Sequence, residues 1–206
     1  SLFLPGPHLT MMMADHGAEV IKVEPPGIGE PNRDLGPKEG EFSIYFRNTH
    51  RGKKSISVNL KNAAEREALL ALCETADVFI EAFRPGVVDR LGVGYSAVAA
   101  RNPRIVYCSI SAFGQTGGLA HHPAHDMATQ ALAGFLSVND GPDGKPVVPG
   151  AASADMAAGL TALSATLMAL IGRAQTGKGD FIDCAMFDSL LPWCVHTAGS
   201  AIAGRE

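Results

Sequence analysis

The 206-residue sequence contains no CxxC pair and no run of five basic residues. Its four cysteines, Cys73, Cys108, Cys184 and Cys194, are scattered among apolar neighbours. That spacing excludes a zinc ribbon or a CxxC redox centre and predicts buried free thiols in a reducing cytoplasm. The densest basic patch is residues 47–54 and the formal charge is −4, which excludes a general nucleic-acid partner. A membrane span needs about 20 mostly apolar residues. Residues 156–172 lack charge, but Gly, Ala, Ser and Thr dilute them, and Asp155 and Arg173 bound them. They read as a helix buried inside a globular domain, and no membrane association is expected. The first residues carry no basic n-region and no initial Met, so the expectation is no signal peptide and a start that is a tag remnant or a trimmed end. Internal repeats and a domain linker are also missing.

What is present points to a folded α/β domain. Apolar residues make up 46% and charged residues 18%, which excludes intrinsic disorder. The 23 Gly and 13 Pro follow no period, which excludes collagen-like chains. A chain of this size buries roughly 70% of its unfolded surface without disulfides. Helices are predicted at residues 9–16, 62–75, 87–91, 95–101, 126–134 and 154–175, with Asn62 as an N-cap. Strands are predicted at 18–24 (AEVIKVE), 55–60 (SISVNL), 77–83 (DVFIEAF), 104–109 (RIVYCS) and 181–186. Residues 27–41 and 112–123 read as loops, and 141–150 as a turn-rich hairpin or loop. The alternation implies βαβ units and a mainly parallel, Rossmann-like sheet covered on both faces.

Several motifs dissolve on inspection. Residues 92–97 fit GxGxxA, but a helix precedes them where a nucleotide-binding turn needs a strand. Residues 172–178 have P-loop spacing, yet Gly179 stands where magnesium needs Ser or Thr. His121, His122 and His125 are interrupted by Pro123 and no distant pair completes a metal set, so no metal is expected. No GxSxG elbow exists. Two acids are harder to dismiss. Asp126 follows His125 at a helix start, and Asp155 heads the apolar helix after the small residues 151–154. An acid in a first turn is ordinarily a response to unpaired amides and the helix dipole. Among small residues it is also a reachable nucleophile.

Landmarks run nearly end to end: Gly6-Pro7, then ADHGAEVIKVE at 14–24, NTHRGKKSISVN at 48–59, ADVFIE at 76–81 with FRPG at 83–86, and Leu91-Gly92 with Tyr95. NPRIVYCSI at 102–110, FGQTG at 113–117, Asp126 with Gln130-Ala131, Ala154-Asp155 and TGKG at 176–179 follow. In this order they resemble the class III CoA-transferases, the CaiB/BaiF group that includes formyl-CoA and carnitine CoA-transferases and α-methylacyl-CoA racemases. The resemblance implies an α/β Rossmann-like domain that is incomplete at 1–206, starting just after the first strand and lacking a smaller C-terminal domain. It also implies an interlocked homodimer. It assigns Asp155 as the carboxylate that attacks an acyl-CoA thioester, with Ala124, His125 and Asp126 at the thioester end. Val58, Asn59, Leu60 and Lys61 match an adenine-side segment, Ala82, Phe83 and Arg84 another contact strip, and Arg90 a phosphate-binding arginine. Coenzyme A and acyl-CoA are then substrates, with a carboxylic acid as acceptor and no tightly bound cofactor. Pro25 and Leu4 depart from residues that some transferases carry. His125 and Asp155 also match the two-base pair of the racemases, and an inactive acyl-CoA-binding or assembly fragment is the third reading.

Overall fold

The computed structural model describes residues 1–138 and 140–204. Helix α1 (Pro5–Asp15) begins four residues earlier than expected, on a proline whose missing N–H costs nothing in a first turn. Strand β1 (Val20–Glu24) follows. The expected loop at 27–41 carries more structure than its composition suggests. A 3₁₀ turn (Pro31–Arg33) precedes a small ribbon of β2 (Lys38–Glu39) and β3 (Phe42–Ser43), and then α2 (Ile44–His50). Ser43 caps α2 by accepting from the Phe46 amide at 2.9 Å. Seven residues are too few turns to display a helical period.

Strand β4 (Lys53–Ser57) starts two residues before the expected 55. Its opening lysine is no solvent-facing charge: the Lys53 amine donates to the carbonyls of Pro7 and Thr49, each at 2.8 Å. Helix α3 (Ala63–Cys73) begins at the expected cap, where Asn62 Oδ1 accepts from the Ala64 and Glu65 amides. Next come β5 (Val78–Glu81), α4 (Val87–Arg90), α5 (Tyr95–Arg101) and β6 (Val106–Ser111), the last set two residues beyond its predicted position. Helices α6 (Asp126–Leu132) and α7 (Ser153–Thr176) and strand β7 (Asp180–Ala185) agree with prediction to within a residue or two. Past residue 186, where nothing was predicted, lie α8 (Met186–Leu190), a 3₁₀ turn (Leu191–Cys194) and α9 (Val195–Ile202). All four cysteines are free and buried, as expected.

Strands β5, β6 and β7 form a parallel ladder with β6 in the middle. Every residue of β6 is buried, as a strand covered on both faces requires. Tyr107 packs with Leu69, Leu70 and Val98 of α3 and α5. Cys108 and Ile110 pack on the other face with Leu9, Ala157 and Leu190 of α1, α7 and α8. Gly179 permits the turn into β7: a Cβ there would lie 1.9 Å from the Ile105 carbonyl oxygen. Gly159 lets α1 approach α7, since its Cβ would stand 3.2 Å from the Pro5 carbonyl oxygen.

The expected single sheet is split. β1 and β4 form their own parallel ladder, with Val20 beside Lys53 and Glu24 beside Ser57. A cavity of about 890 Å³ separates the two ladders, and every residue of β1 and of β5 lines it. Successive strand residues point to opposite faces. Contact with all of them places the cavity along the two strand edges, and no strand lies between them among the described residues. Helix α7 also departs from expectation. One stripe (Ala154, Ala157, Ala158, Ala162) is interior, but Leu160, Leu167, Met168 and Ile171 are exposed. By length and composition alone this helix could cross a membrane; here its interior stripe packs on α1, β6 and α8.

An ion cluster pins residues 25–43 to the end of β1. Glu24 receives Arg33 Nη2 at 2.6 Å, Arg33 Nε at 2.9 Å, Ser55 Oγ at 2.6 Å and the Glu30 amide at 2.7 Å. Lys22 pairs with the buried Glu30, and the Arg33 guanidinium lies 4.3 Å from the Phe46 ring centroid. The bonds from Arg33 hold the Glu24 acid down to about 2, against an ordinary 4.5. A depressed folded-state acid stabilises above its unfolded value and loses that contribution as pH falls. Arg33→Met is therefore expected to cost about 1–3 kcal/mol at pH 7. The deficit should shrink between pH 4.5 and 2. Urea unfolding of both proteins across that range checks it.

Candidate functional site

Helix α7 begins where its own sequence provides no cap. Ala152 occupies the N-cap and has no side-chain oxygen. The first amides of a helix need acceptors from outside it. Two of them find one on α6: Asp126 Oδ1 accepts from the Ala154 amide at 2.8 Å and the Asp155 amide at 3.1 Å. Asp126 is the first residue of α6, directly after His125 at its N-cap. One turn on, buried Gln130 donates Nε2 to Asp126 Oδ2 at 2.5 Å and to the Ala151 carbonyl at 3.3 Å.

Asp155 sits half-buried in the first turn of α7. Among the described residues its carboxyl makes no hydrogen bond. Burial first, and the negative charge of Asp126 second, push its acid up to about 7. A carboxyl short of donors, set among the small residues Ala151, Ala152, Ser153 and Ala154, is a comparatively basic oxygen nucleophile that an electrophile can reach.

Tyr45 of α2 belongs to the same neighbourhood and has no motif around it. Burial, then the charges of Asp155 and Glu30, push its phenol up to about 12. The Glu24–Arg33 cluster thus fastens the segment that brings Tyr45 towards Asp155. The only sequence sign was Ser43, a possible N-cap whose helix is too short to declare itself.

Most of the remaining expected residues divide between two cavities. Val58, Asn59, Leu60, Lys61 and Phe83 line the large one. Arg84, Ala124 and His125 line a second, of about 560 Å³, with Ala131 and Leu136. Ala82 packs against the α1–α7 core cluster. Arg90 lines neither cavity; it is exposed on α4, its guanidinium close over Gly86. The single contact strip expected at 82–84 is therefore three residues with three destinations. The His125 ring meets Phe3 edge to face at 6.3 Å, and no hydrogen bond joins it to Asp155 among the described residues.

The raised Asp155 acid has a stability consequence. The unfolded chain ionises it near 3.8 and the folded protein near 7. Folding therefore favours the protonated form, and stability falls as pH climbs through that window. Asp155→Asn is expected to stabilise by roughly 1–3 kcal/mol at pH 8, after allowance for partial solvent screening. It should bring no such gain at pH 3.5. Denaturant unfolding at the two pH values checks this; an equal gain at both would contradict the raised acid.

The chain was compared with known proteins. The model of CoA-transferase family III matches residues 1–206. An acetyl-CoA:oxalate CoA-transferase of Acetobacter aceti is 45% identical over 194 residues, covering 94% of this chain and 50% of that protein. A succinyl-CoA:glutarate CoA-transferase of Mus musculus is 40% identical over 204 residues, covering 98% of this chain and 47% of that protein. The crystal structure of a CaiB/BaiF family protein from Brucella suis superimposes with a TM-score of 0.94 at 38% identity, covering all of this chain and 56% of that one. The chain spans about half the length of the curated relatives it matches. With the family model matched from the first residue to the last, the chain belongs to CoA-transferase family III.

Proposed function

We propose that this chain carries the nucleophile of a CoA-transferase that moves CoA between an acyl-CoA and a carboxylic acid, with Asp155 as the attacking group. The observation that carries the reading is the Asp155 carboxyl: half-buried, without a hydrogen-bond donor among the described residues, and raised towards neutrality beside Asp126. An Asp155 oxygen attacks the thioester carbonyl, the C–S bond breaks, and the CoA thiolate leaves a mixed anhydride. The thiolate then attacks the aspartyl carbonyl, which releases the first acid and leaves an aspartyl-CoA thioester. The acceptor carboxylate attacks that thioester to give a second anhydride. The thiolate takes its acyl group and restores Asp155. Each step exchanges one activated acyl bond for another, so the protein's task is to hold the thiolate and exclude water.

In this reading coenzyme A lies with its adenine end along Val58–Lys61 and Phe83, its phosphates near Arg84 and Arg90, and its thioester near Ala124, His125 and Asp126. A guanidinium is suited to phosphate by its forked donors. The relatives named for oxalate and glutarate point to a short dicarboxylic acid as acceptor. A second copy of the chain covers the exposed face of α7, where Leu160, Leu167, Met168 and Ile171 form an apolar stripe. The free, buried cysteines fit the cytoplasm.

Incubation with an acyl-CoA followed by hydroxylamine should place a hydroxamate on Asp155, read by peptide mass spectrometry. Asp155→Asn should carry none and should lose transfer activity by about 10³-fold or more. An unlabelled Asp155 in an active protein would sink the covalent route. Incubation in D₂O without an acceptor acid separates the chemistries: α-deuteration that requires both His125 and Asp155 would indicate a racemase instead. Light scattering should report a dimer, and Met168→Glu with Ile171→Glu should shift it to monomer.

A further inference from the structure

We infer that Gln130 is a positioning residue for Asp155: it fixes Asp126 across the amino end of α7, so that the free amides there are occupied and the Asp155 carboxyl is left without a backbone donor. The inference rests on the reading of Asp155 as the nucleophile.

An aspartate in a first helical turn ordinarily has its own helix's amides within reach. Were Asp155 to take them, its carboxylate would be stabilised and less basic. The structure gives those amides to Asp126 instead, through a single oxygen, Oδ1. The second oxygen, Oδ2, is held by Gln130 Nε2. Because that same nitrogen also donates to the Ala151 carbonyl, Gln130 ties Asp126 to the residues that lead into α7. Gln130 is 2% exposed, and its own Oε1 is buried without a partner. A glutamine present only to fill space would not leave an acceptor unpaired in the interior. It leaves one acceptor unpaired and makes one bond to Asp126 and one to the Ala151 carbonyl.

The groups around Asp155 are few. Asp126 comes from α6 and the Tyr45 phenol from α2, and His125 lies next to Asp126 at the start of α6. Release of Asp126 would both withdraw a negative neighbour and free two donors. Both changes act in one direction, towards a more acidic Asp155.

The test is a carboxyl ¹³C NMR titration of Asp155 in the purified protein, with Gln130→Met and Gln130→Asn as the variants. Either variant removes the reach to Asp126, and Asn serves where Met fails to fold. The Asp155 midpoint should fall by about one pH unit, a tenfold change in proton affinity. Asp126→Asn should lower it as well, and the double variant should fall no further than Asp126→Asn alone, because Gln130 acts through Asp126. A loss of structural support alone would lower signal or activity without moving the midpoint. In Asp126→Asn the side-chain amide resonances of Gln130 should also shift. An Asp155 midpoint unchanged in the Gln130 variants, or Gln130 resonances indifferent to Asp126→Asn, overturns the inference. Hydroxylamine trapping separates this from the function itself. If no adduct forms on Asp155 while its midpoint still depends on Gln130, the nucleophile reading fails and the geometry stands. If the adduct forms and the midpoint is indifferent to Gln130, only the positioning role fails.

Discussion

A hydrogen-bonded bridge between two helix starts organises this chain: one oxygen of Asp126 accepts two amides from the beginning of α7 while Asp126 itself begins α6. Amino-terminal helix ends carry partial positive charge, and two of them meet at this carboxylate. Ala152, at the N-cap of α7, could not have satisfied those amides from its own side chain. The ends of the stretch between the two helices are thus tied to each other by the cap and by the Gln130 contact with Ala151.

The same bridge makes two neighbouring acids unequal. Asp126 accepts from three donors, two backbone amides and the Gln130 side chain, whereas the Asp155 carboxyl has no donor among the described residues. Paired acids whose surroundings push them apart are a recurring way to obtain two chemical roles from one residue type. Here the acid that is well solvated by protein dipoles supports the architecture, and the one that is not is raised towards neutrality. A second, separate ion cluster, Glu24 with Arg33 and Lys22 with Glu30, serves the site from the other side by fastening the segment that brings Tyr45.

Much of the architecture was legible because it follows from period and punctuation. The β-branched run of β1, the Asn62 cap of α3 and the long apolar α7 are local signals, and the structure places each within a few residues of its expected position. Asp155 stood out as an acid among small residues, a pattern visible without coordinates. Gln130 appeared only as a landmark beside Asp126 and Tyr45 not at all, because what they do depends on distant partners: Gln130 also bonds Ala151, 21 positions on, and Tyr45 feels Asp155. Helices α2 and α8 are too short for periodicity to reveal them. The split of the sheet was illegible for a different reason. Strand propensity is a property of each segment, whereas pairing depends on which edges meet, and β1 and β5 do not.

The end of β5 then acquires a particular meaning. Ala82, Phe83 and Arg84 are consecutive, yet they go to the core, to the large cavity and to the second cavity in turn. Side chains of an extended segment alternate in direction, so a short stretch at a strand's carboxyl end can address separate spaces. In open α/β sheets ligands gather at those carboxyl ends. An elongated ligand laid across residues 83 and 84 would touch both cavities at once, with Val58–Lys61 at one end and Ala124 with His125 at the other. Coenzyme A has that elongated form, and under the proposed transfer its base would face the large cavity and its thioester the second, beside Ala124 and His125.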